Sequence, residues 1–487
     1  MTKNLIYDIT DKPPFGKRLI FAFQQFLAIL SATIAVPTLI GLPTQIPAAI
    51  FGAGIGTLVY QWFTKFKSPV FLGSSFAFLG SLSIALAFGY CGIVLGAIVA
   101  GLVYVCLAAV VHFVGTSWVS KLMPAVIIGP TVTLIGLSLA GNAMGNIVTA
   151  DSSSVAGDNL VALLCGLVAF FVIIICATQK KYTMPKLIPF VIGIIAGYAV
   201  ASVFTVIGMV ANIEYLKIIN WAPVVNNFVD AQGNFNGISA FFTVPKFALF
   251  EGIKELSSGT LSDEIMQATN GQASVLTVAG IAEVVIAFLP VALVVFAEHI
   301  ADHKNLSSII EKDLIEEPGL KRTLLGDGVG SMMGTCFGIC PNTTYGESVG
   351  CVAVTRNASV ATITTTAFMC IILSFFSPLT TALQTIPSCV MGGVCLTLYG
   401  FIAVSGLKML KDVDLGNVKN LFVVAAILIS GIGGLKLQLT DSIQITPIAT
   451  ALLLGILTNA VLTCIEKGKT SKVVNDAQDK ENVNEEL

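Results

Sequence analysis

The feature that most constrains the fold of this chain is a series of apolar stretches, each about 20 residues long, that recurs along almost its whole length. A helix of this length crosses the hydrocarbon core of a bilayer and satisfies its own backbone hydrogen bonds there. Only 11% of the residues are charged, against about 25% in soluble domains, which excludes a soluble protein. The sequence predicts an all-α polytopic membrane protein. Its fourteen predicted spans are approximately residues 18–42, 46–64, 70–89, 91–114, 122–142, 158–178, 186–210, 275–300, 322–339, 342–357, 359–379, 384–406, 418–435 and 443–465.

The distribution of basic residues predicts the orientation in the membrane. With the N-terminus in the cytoplasm, all but four of the 26 Lys and Arg residues fall on the inner side. This is the bias that the positive-inside rule describes, so we expect both termini to be cytoplasmic in a plasma-membrane protein. Residues 1–17 form an inner arm, 18–465 the transporter domain and 466–487 a polar tail predicted to be disordered. A net charge of −2 gives no basic surface for nucleic acid.

Two short pieces of sequence recur in the two halves of the chain. Residues 124–129 resemble 387–392, and residues 73–78 correspond to 343–348. Chance similarity is the alternative for such short pieces. A true repeat would have seven spans, and an odd number of spans forces the second copy to insert upside down, giving a 7+7 inverted repeat. Spans 3 and 10 are also short, rich in small polar residues, and preceded by proline. We therefore expect them to be broken by short extended stretches that line a substrate site.

Four acidic residues lie in otherwise apolar segments: Glu298, Asp302, Asp327 and Glu347. Each costs about 2.5–3.5 kcal/mol at the bilayer centre, so such groups normally face a polar path or a bound solute. Glu298 and Asp302 share one helix face because they are four residues apart. Two neighbouring carboxyl groups can hold and release a proton, which favours a proton-coupled carrier. The alternative for Asp302 is a solvated position at the cytoplasmic end of span 8.

Further residues in the broken spans predict contacts with a substrate. Glu347 follows Gly346 in span 10, where a carboxylate beside free backbone N–H groups can pair with the edge of a planar heterocycle. Phe76 and Phe78 in span 3 could each offer an aromatic face for a flat ring, with packing as the alternative, and we favour Phe78. Asp327 lies in a stripe of glycines that lets another helix approach closely, so it either supports span 10 or contacts substrate. Gln25 could bond substrate or a neighbouring span.

Metal binding and enzymatic chemistry are not predicted. His299 and His303 have a spacing that can bind metal, but no Cys or third His accompanies them in sequence. No nucleophile–base set appears, and we expect no cofactor. A channel is a weaker alternative than a carrier, because broken helices around acidic residues suit alternating access.

Several motifs together resemble the nucleobase–ascorbate transporter family, and within it the bacterial uracil/xanthine permeases. The most specific is Glu347-Ser-Val-Gly-Cys-Val-Ala-Val-Thr-Arg356, which fits the family signature of Gln or Glu, usually Asn, any residue, Gly, four residues and Thr. Residues 24–28, 75–78 and 297–299 also look like family motifs. The resemblance extends over most of the chain.

This resemblance implies a core domain of spans 1–4 and 8–11, a gate domain of spans 5–7 and 12–14, a homodimer, and proton-coupled nucleobase uptake by an elevator-like motion. It implies that one set of residues binds the base: Glu298, Glu347, Gly346, Phe78, Ala77 and Tyr345. A second set would couple protons or support the site: Glu298, Asp302, Asp327, Ser348 and Gln25.

Three positions depart from the family pattern and bear on the substrate. Ser348 replaces the usual Asn, and Gln25 stands where many relatives have His. Asp302 resembles xanthine carriers, whereas the stretch 344–347 resembles uracil carriers. We favour uracil slightly. The alternatives are a purine permease for xanthine or uric acid, and an anion transporter of related architecture.

Overall fold

The structure is a computed structural model that describes residues 5–152, 157–179, 185–186, 188–344, 346–438 and 444–485. Helices dominate it, as the apolar segments predict. Within the described residues, nine helices of at least 18 residues are apolar enough to cross a membrane. Three shorter apolar helices of 10–17 residues accompany them. The prediction of a mostly helical, multi-pass membrane protein is confirmed.

The elements are numbered here in chain order. The first half comprises α1 (Phe15–Leu39), α2 (Ile46–Phe63), β1 (Leu72–Ser74), α3 (Leu79–Leu86), α4 (Gly89–Val114), α5 (Ser117–Leu122), α6 (Ala125–Ser138), α7 (Ala140–Ile147), α8 (Leu160–Thr178), α9 (Pro189–Val210), α10 (Ala222–Phe228), α11 (Ala248–Ser258) and α12 (Asp263–Ala268). The second half comprises α13 (Val278–Ile310), α14 (Leu320–Phe337), β2 (Asn342–Thr344), α15 (Gly346–Thr355), α16 (Val360–Ser374), α17 (Ser377–Gln384), α18 (Ser388–Met409), α19 (Val418–Ile432), β3 (Leu437–Gln438), β4 (Gln444–Ile445) and α20 (Pro447–Glu485).

The long helices pack in two groups. In one group α14 lies between α2 and α4, α16 packs on α1 and α2, and α13 packs on α4. In the other group α18 packs on α6, α7 and α8, α9 packs on α8, and α19 lies between α6 and α20. The two groups meet where α1 contacts α9 and α18, and where α13 contacts α6 and α20. The two groups therefore adjoin along α1 and α13.

Two short strands pair inside the first group. β1 and β2 are antiparallel, with Leu72 opposite Thr344, Gly73 opposite Thr343 and Ser74 opposite Asn342. The strands lie within predicted spans 3 and 10, and all six of these residues are buried. A short helical turn, Phe76–Phe78, leads from β1 into α3, whereas α15 begins at Gly346. The pairing satisfies backbone groups that would otherwise be unbonded at membrane depth.

The close approach of α2 and α14 depends on glycine. A Cβ added at Gly52 would lie 2.2 Å from the backbone oxygen of Gly334, and one at Gly334 would lie 2.1 Å from Nδ2 of Asn342. Asn342 uses that space to donate a 2.9 Å hydrogen bond to the Gly52 oxygen. The small-residue stripe thus brings β2 against the helix pair.

Three segments differ from the sequence-based boundaries or add to them. α13 continues ten residues beyond the predicted end of span 8, because His303 and the apolar residues after it are buried rather than solvated. α20 continues as a helix to Glu485, through the stretch predicted to be a disordered tail; its Ala, Lys, Glu and Gln residues are good helix formers. The long segment 211–274 contains the short helices α10, α11 and α12.

Candidate functional site

A cavity of 360 Å³ lies between the two helix groups. Its lining comes from α1, β1 and the turn after it, α6, α8, α9, α13, β2, α15 and α18. The lining residues are Ala28, Ser74, Ser75, Phe76, Val132, Ala177, Lys186, Pro189, Phe190, Glu298, Ala301, Asp302, Asn305, Thr343, Thr344, Gly346, Glu347, Gly350, Cys351, Val354, Phe401, Ile402 and Ser405. This volume suits a small organic solute held by a few polar groups among apolar walls.

Three carboxyl groups that the sequence singled out meet in this cavity. Glu298 and Asp302 both project from α13, one turn apart, and Glu347 lies in the first turn of α15. Asp302 accepts a 2.7 Å hydrogen bond from the hydroxyl of Thr344 on β2. The Glu298 oxygen Oε2 is buried and has no hydrogen-bond partner among the described residues. A buried acceptor of this kind is costly unless a ligand completes it.

The broken spans also present backbone N–H donors beside the cavity. α15 begins beside the strand pair, so its first N–H groups have no partner within the helix. Glu347 stands in this first turn, where a negative charge is favoured by the helix dipole. Gly346 also lines the cavity. The Ser75 hydroxyl, at the end of β1, is a second buried polar atom with no partner among the described residues.

Asp327 lies behind the cavity rather than in its lining. Its Oδ2 atom is 2.6 Å from Nδ1 of His299 and accepts a 3.3 Å hydrogen bond from Thr343 of β2. Both Asp327 and His299 are almost completely buried. The sequence analysis gave Asp327 two possible roles, support of span 10 or contact with substrate. The hydrogen bond from Thr343 corresponds to the first of these roles.

Gln25 and Ser348 contact each other beside the cavity. The Gln25 amide donates a 2.6 Å hydrogen bond to the Ser348 hydroxyl, which joins α1 to α15. Both side chains are buried, and neither is among the residues that line the cavity. In this arrangement they position α15.

Two predicted contact residues, Ala77 and Phe78, lie outside the cavity lining. Phe78 stacks on Phe288 with ring centroids 5.5 Å apart, and neither Phe78 nor Ala77 is among the cavity-lining residues. Phe76 lines the cavity in its place, with its ring edge-to-face against Tyr399 at 5.3 Å. The helical turn Phe76–Phe78 rotates these neighbours to different sides. Tyr345 lies outside the described residues.

Several lining residues come from the second helix group and were not identified from sequence. They include Phe190, Phe401 and Ser405. Single aromatic or hydroxyl residues in an apolar helix carry no signal that separates packing from lining. Asn305 was missed for another reason: it lies one turn beyond Asp302, in the part of α13 that extends past the predicted end of span 8.

Comparisons with known proteins agree on one family. The model of the Permease family matches residues 16–440. The uracil permease of Bacillus caldolyticus is 34% identical over 460 residues, covering 94% of this chain and 94% of that protein. The uracil permease of Bacillus subtilis (strain 168) is 33% identical, covering 94% and 96%. That of Escherichia coli (strain K12) is 30% identical, covering 98% and 99%.

Solved structures resemble this one in fold. The transmembrane domain of a cyanobacterium bicarbonate transporter, BicA, aligns with a TM-score of 0.52 at 14% identity, covering 93% of this chain and 100% of that chain. The murine Solute Carrier 26 family member A9 anion transporter, in its inward-facing state, aligns with a TM-score of 0.58 at 12% identity, covering 94% and 69%. At these identities the likeness concerns architecture alone.

Proposed function

This chain belongs to the nucleobase–ascorbate transporter family and is a transport protein rather than an enzyme, and we propose that it takes up a nucleobase together with protons. Uracil is favoured over xanthine. The observation that carries this proposal is that Glu298 lines the same cavity as Glu347 and that its buried Oε2 atom has no hydrogen-bond partner in the part of the chain that the structure describes. Two carboxyl groups that line one cavity suit a neutral, planar solute with N–H donors on two edges.

The architecture that we propose has fourteen spans. The nine long helices and three short apolar ones, with α14 and α15, supply fourteen segments within the described residues. The paired broken segments in the two halves support a 7+7 inverted repeat. The two helix groups support a core of spans 1–4 and 8–11 that moves against a gate of spans 5–7 and 12–14. We also propose that the protein is a homodimer in the plasma membrane and that the core moves against the gate in an elevator-like manner.

The side of the membrane to which the cavity opens follows from the orientation that the basic residues predict. Lys186 and Asn305 line it, and both lie toward the side that the positive-inside rule assigns to the cytoplasm. The conformation is therefore inward-facing if both termini are cytoplasmic.

An anion transporter is the second candidate, because two solved anion or bicarbonate transporters share the fold. The cavity argues against it. Glu298, Asp302 and Glu347 line it, whereas Lys186 at its rim is the one basic side chain among the described lining residues. An anion would meet repulsion from the carboxyl groups unless they were protonated.

Uptake measurements test the proposal directly. Cells that lack their own base carriers would be given labelled uracil or xanthine, with the parent beside Glu298→Gln and Glu347→Gln. We expect proton-dependent uptake of one base that a protonophore abolishes, and loss of uptake in both variants. Glu283→Gln is a matched control, because Glu283 lies on the same helix and is not among the cavity-lining residues. Full uptake by both cavity variants would show that neither Glu298 nor Glu347 has the role proposed here.

A further inference from the structure

We propose that α11 (Ala248–Ser258) lies in the interface between the bilayer and water, with one apolar face against the acyl chains of the lipids. This inference goes beyond the proposed function and holds for whichever solute the protein carries. α11 belongs to the segment 211–274, which joins α9 to α13 and contains none of the nine long apolar helices among the described residues. With 11 residues, α11 is too short to span a membrane itself.

The buried face of α11 holds the helix against the start of α4. The Glu255 carboxylate accepts a 2.8 Å hydrogen bond from the backbone N–H of Tyr90, and the Cys91 thiol donates to the Gly252 oxygen at 2.9 Å. The 26 residues of α4 rise about 39 Å, which exceeds the roughly 30 Å thickness of a hydrocarbon core. The first turn of α4 therefore reaches the edge of the membrane, and α11 lies at the same level.

A second face of α11 is apolar but exposed. Its members are Leu249, Phe250, Ile253 and Leu256. At 3.6 residues per turn they span roughly 120° of the helix circumference. Phe250, Ile253 and Leu256 are 57%, 55% and 52% exposed. The remaining side of the helix carries Glu251 and Lys254, which pair at 3.8 Å. An apolar face beside a charged one is typical of a helix that lies in a membrane interface.

Aromatic contacts connect this apolar face to a surface that faces lipid. Phe247 contacts Phe250 with ring centroids 6.1 Å apart, and it contacts Phe51 of α2 at 4.8 Å. Phe51 in turn contacts Phe375, directly after α16, at 5.7 Å. In the last turn of α16, Ile372 is 68% exposed. Because α16 is an apolar helix of a membrane protein, such an exposed side chain faces lipid.

Lipid accounts for the apolar face better than a second copy of the chain does. The four side chains alone offer far less than the about 1,000 Å² that a stable protein interface buries. Contact with acyl chains removes the exposed apolar surface from water without a shaped partner. Lys254 can then extend from the charged face toward the headgroups and water. Since α11 is bonded to α4, the contact fixes the depth of the first helix group in the bilayer.

Photocrosslinking of the whole protein in nanodiscs tests this contact. The photoreactive residue p-benzoylphenylalanine replaces Ile253 on the apolar face or, as the matched control, Lys254 on the charged face. The nanodiscs contain phosphatidylethanolamine and phosphatidylglycerol, and mass spectrometry of the chain detects attached lipid. We expect several-fold more lipid adduct from the Ile253 position than from the Lys254 position. Equal labelling, no lipid adduct from the Ile253 position, or its attachment to a second copy of the chain would overturn the inference.

Tryptophan fluorescence decides the same question with a smaller change. Ile253→Trp and Lys254→Trp each add one indole to the parent, and lipids brominated in their acyl chains quench an indole that touches them. We expect strong quenching of the fluorescence that Ile253→Trp adds and little quenching of that added by Lys254→Trp. Equal quenching would contradict the inference even if the photoreactive variants did not fold. Neither measurement uses a solute, so a failure of the proposed transport function would leave both results unchanged.

Discussion

The amide of Gln25 donates a 2.6 Å hydrogen bond to the hydroxyl of Ser348, across the boundary between α1 and α15. Both groups are buried, so losing one partner leaves the other unsatisfied. We expect Ser348→Ala to cost about 1–3 kcal/mol of stability and to weaken base binding, because α15 carries Glu347. The thermal midpoint of the purified protein and the KM of uptake measure these two effects.

The double variant Gln25→Leu with Ser348→Ala separates support from substrate contact. Replacing both partners with apolar groups removes the unpaired amide, so stability should recover most of the loss. A double variant as unstable as the sum of the single variants would show that the two residues act independently.

The helix contact at Gly334 gives a second prediction. A Cβ there would lie 2.1 Å from the Asn342 amide that anchors β2 to α2. We expect Gly334→Ala to cost about 1–3 kcal/mol through overpacking and to lower uptake by displacing β2. Gly141→Ala is the matched control, because nothing lies within 4 Å of a Cβ built there. Equal thermal midpoints for the two variants would contradict this account of α14 packing.

Spacing along one helix was sufficient to bring part of the site together. Glu298 and Asp302 share a helix face at four residues apart, and both line the cavity. The glycine stripe in α14 likewise predicted a close helix contact. These features depend on helical periodicity, which is a property of the local sequence.

Other features depend on contacts between distant segments. His299 meets Asp327 across 28 residues, and its sequence context suggested only a metal ligand, which was not favoured. The length of α13 was underestimated because Asp302, His303 and Lys304 look like a polar helix end. In the structure His303 is buried and bonded to Tyr60 of α2 at 2.8 Å. No local pattern encodes that partner.

The choice between Phe76 and Phe78 yields a third prediction. Phe76 lines the cavity, whereas Phe78 packs on Phe288. We expect Phe76→Ala to raise the KM for the base, since it removes an aromatic surface from the cavity. Phe78→Ala should instead destabilise the protein by about 3–5 kcal/mol, the usual loss for a buried phenylalanine. If instead Phe78→Ala raised the KM and Phe76→Ala mainly lowered stability, Phe78 would be the stacking residue that the sequence predicted.

A fourth prediction concerns the outer segment 211–274. Glu264 on α12 accepts hydrogen bonds from Gln45 at 3.0 Å, Thr44 at 3.1 Å and Tyr90 at 3.2 Å, and it pairs with Lys246. Burial by itself raises the pKa of this carboxyl, but the bonds from Lys246, Gln45 and Thr44 outweigh it and leave the pKa below its ordinary value of 4.5. The ionised carboxylate therefore fastens this segment to the ends of α2 and α4.

The pH dependence of that attachment has a definite sign. A carboxyl with a lowered pKa in the folded state contributes stability above its ordinary pKa of 4.5, and this contribution is lost as the pH falls through the lowered value. We expect Glu264→Gln to lower the thermal midpoint near neutral pH, and the difference from the parent to shrink in acid. Glu251→Gln, which breaks a looser 3.8 Å pair with Lys254, should change the midpoint little at any pH. A Glu264→Gln deficit that stays constant into acid would mean that packing of the side chain, rather than its charge, holds the segment.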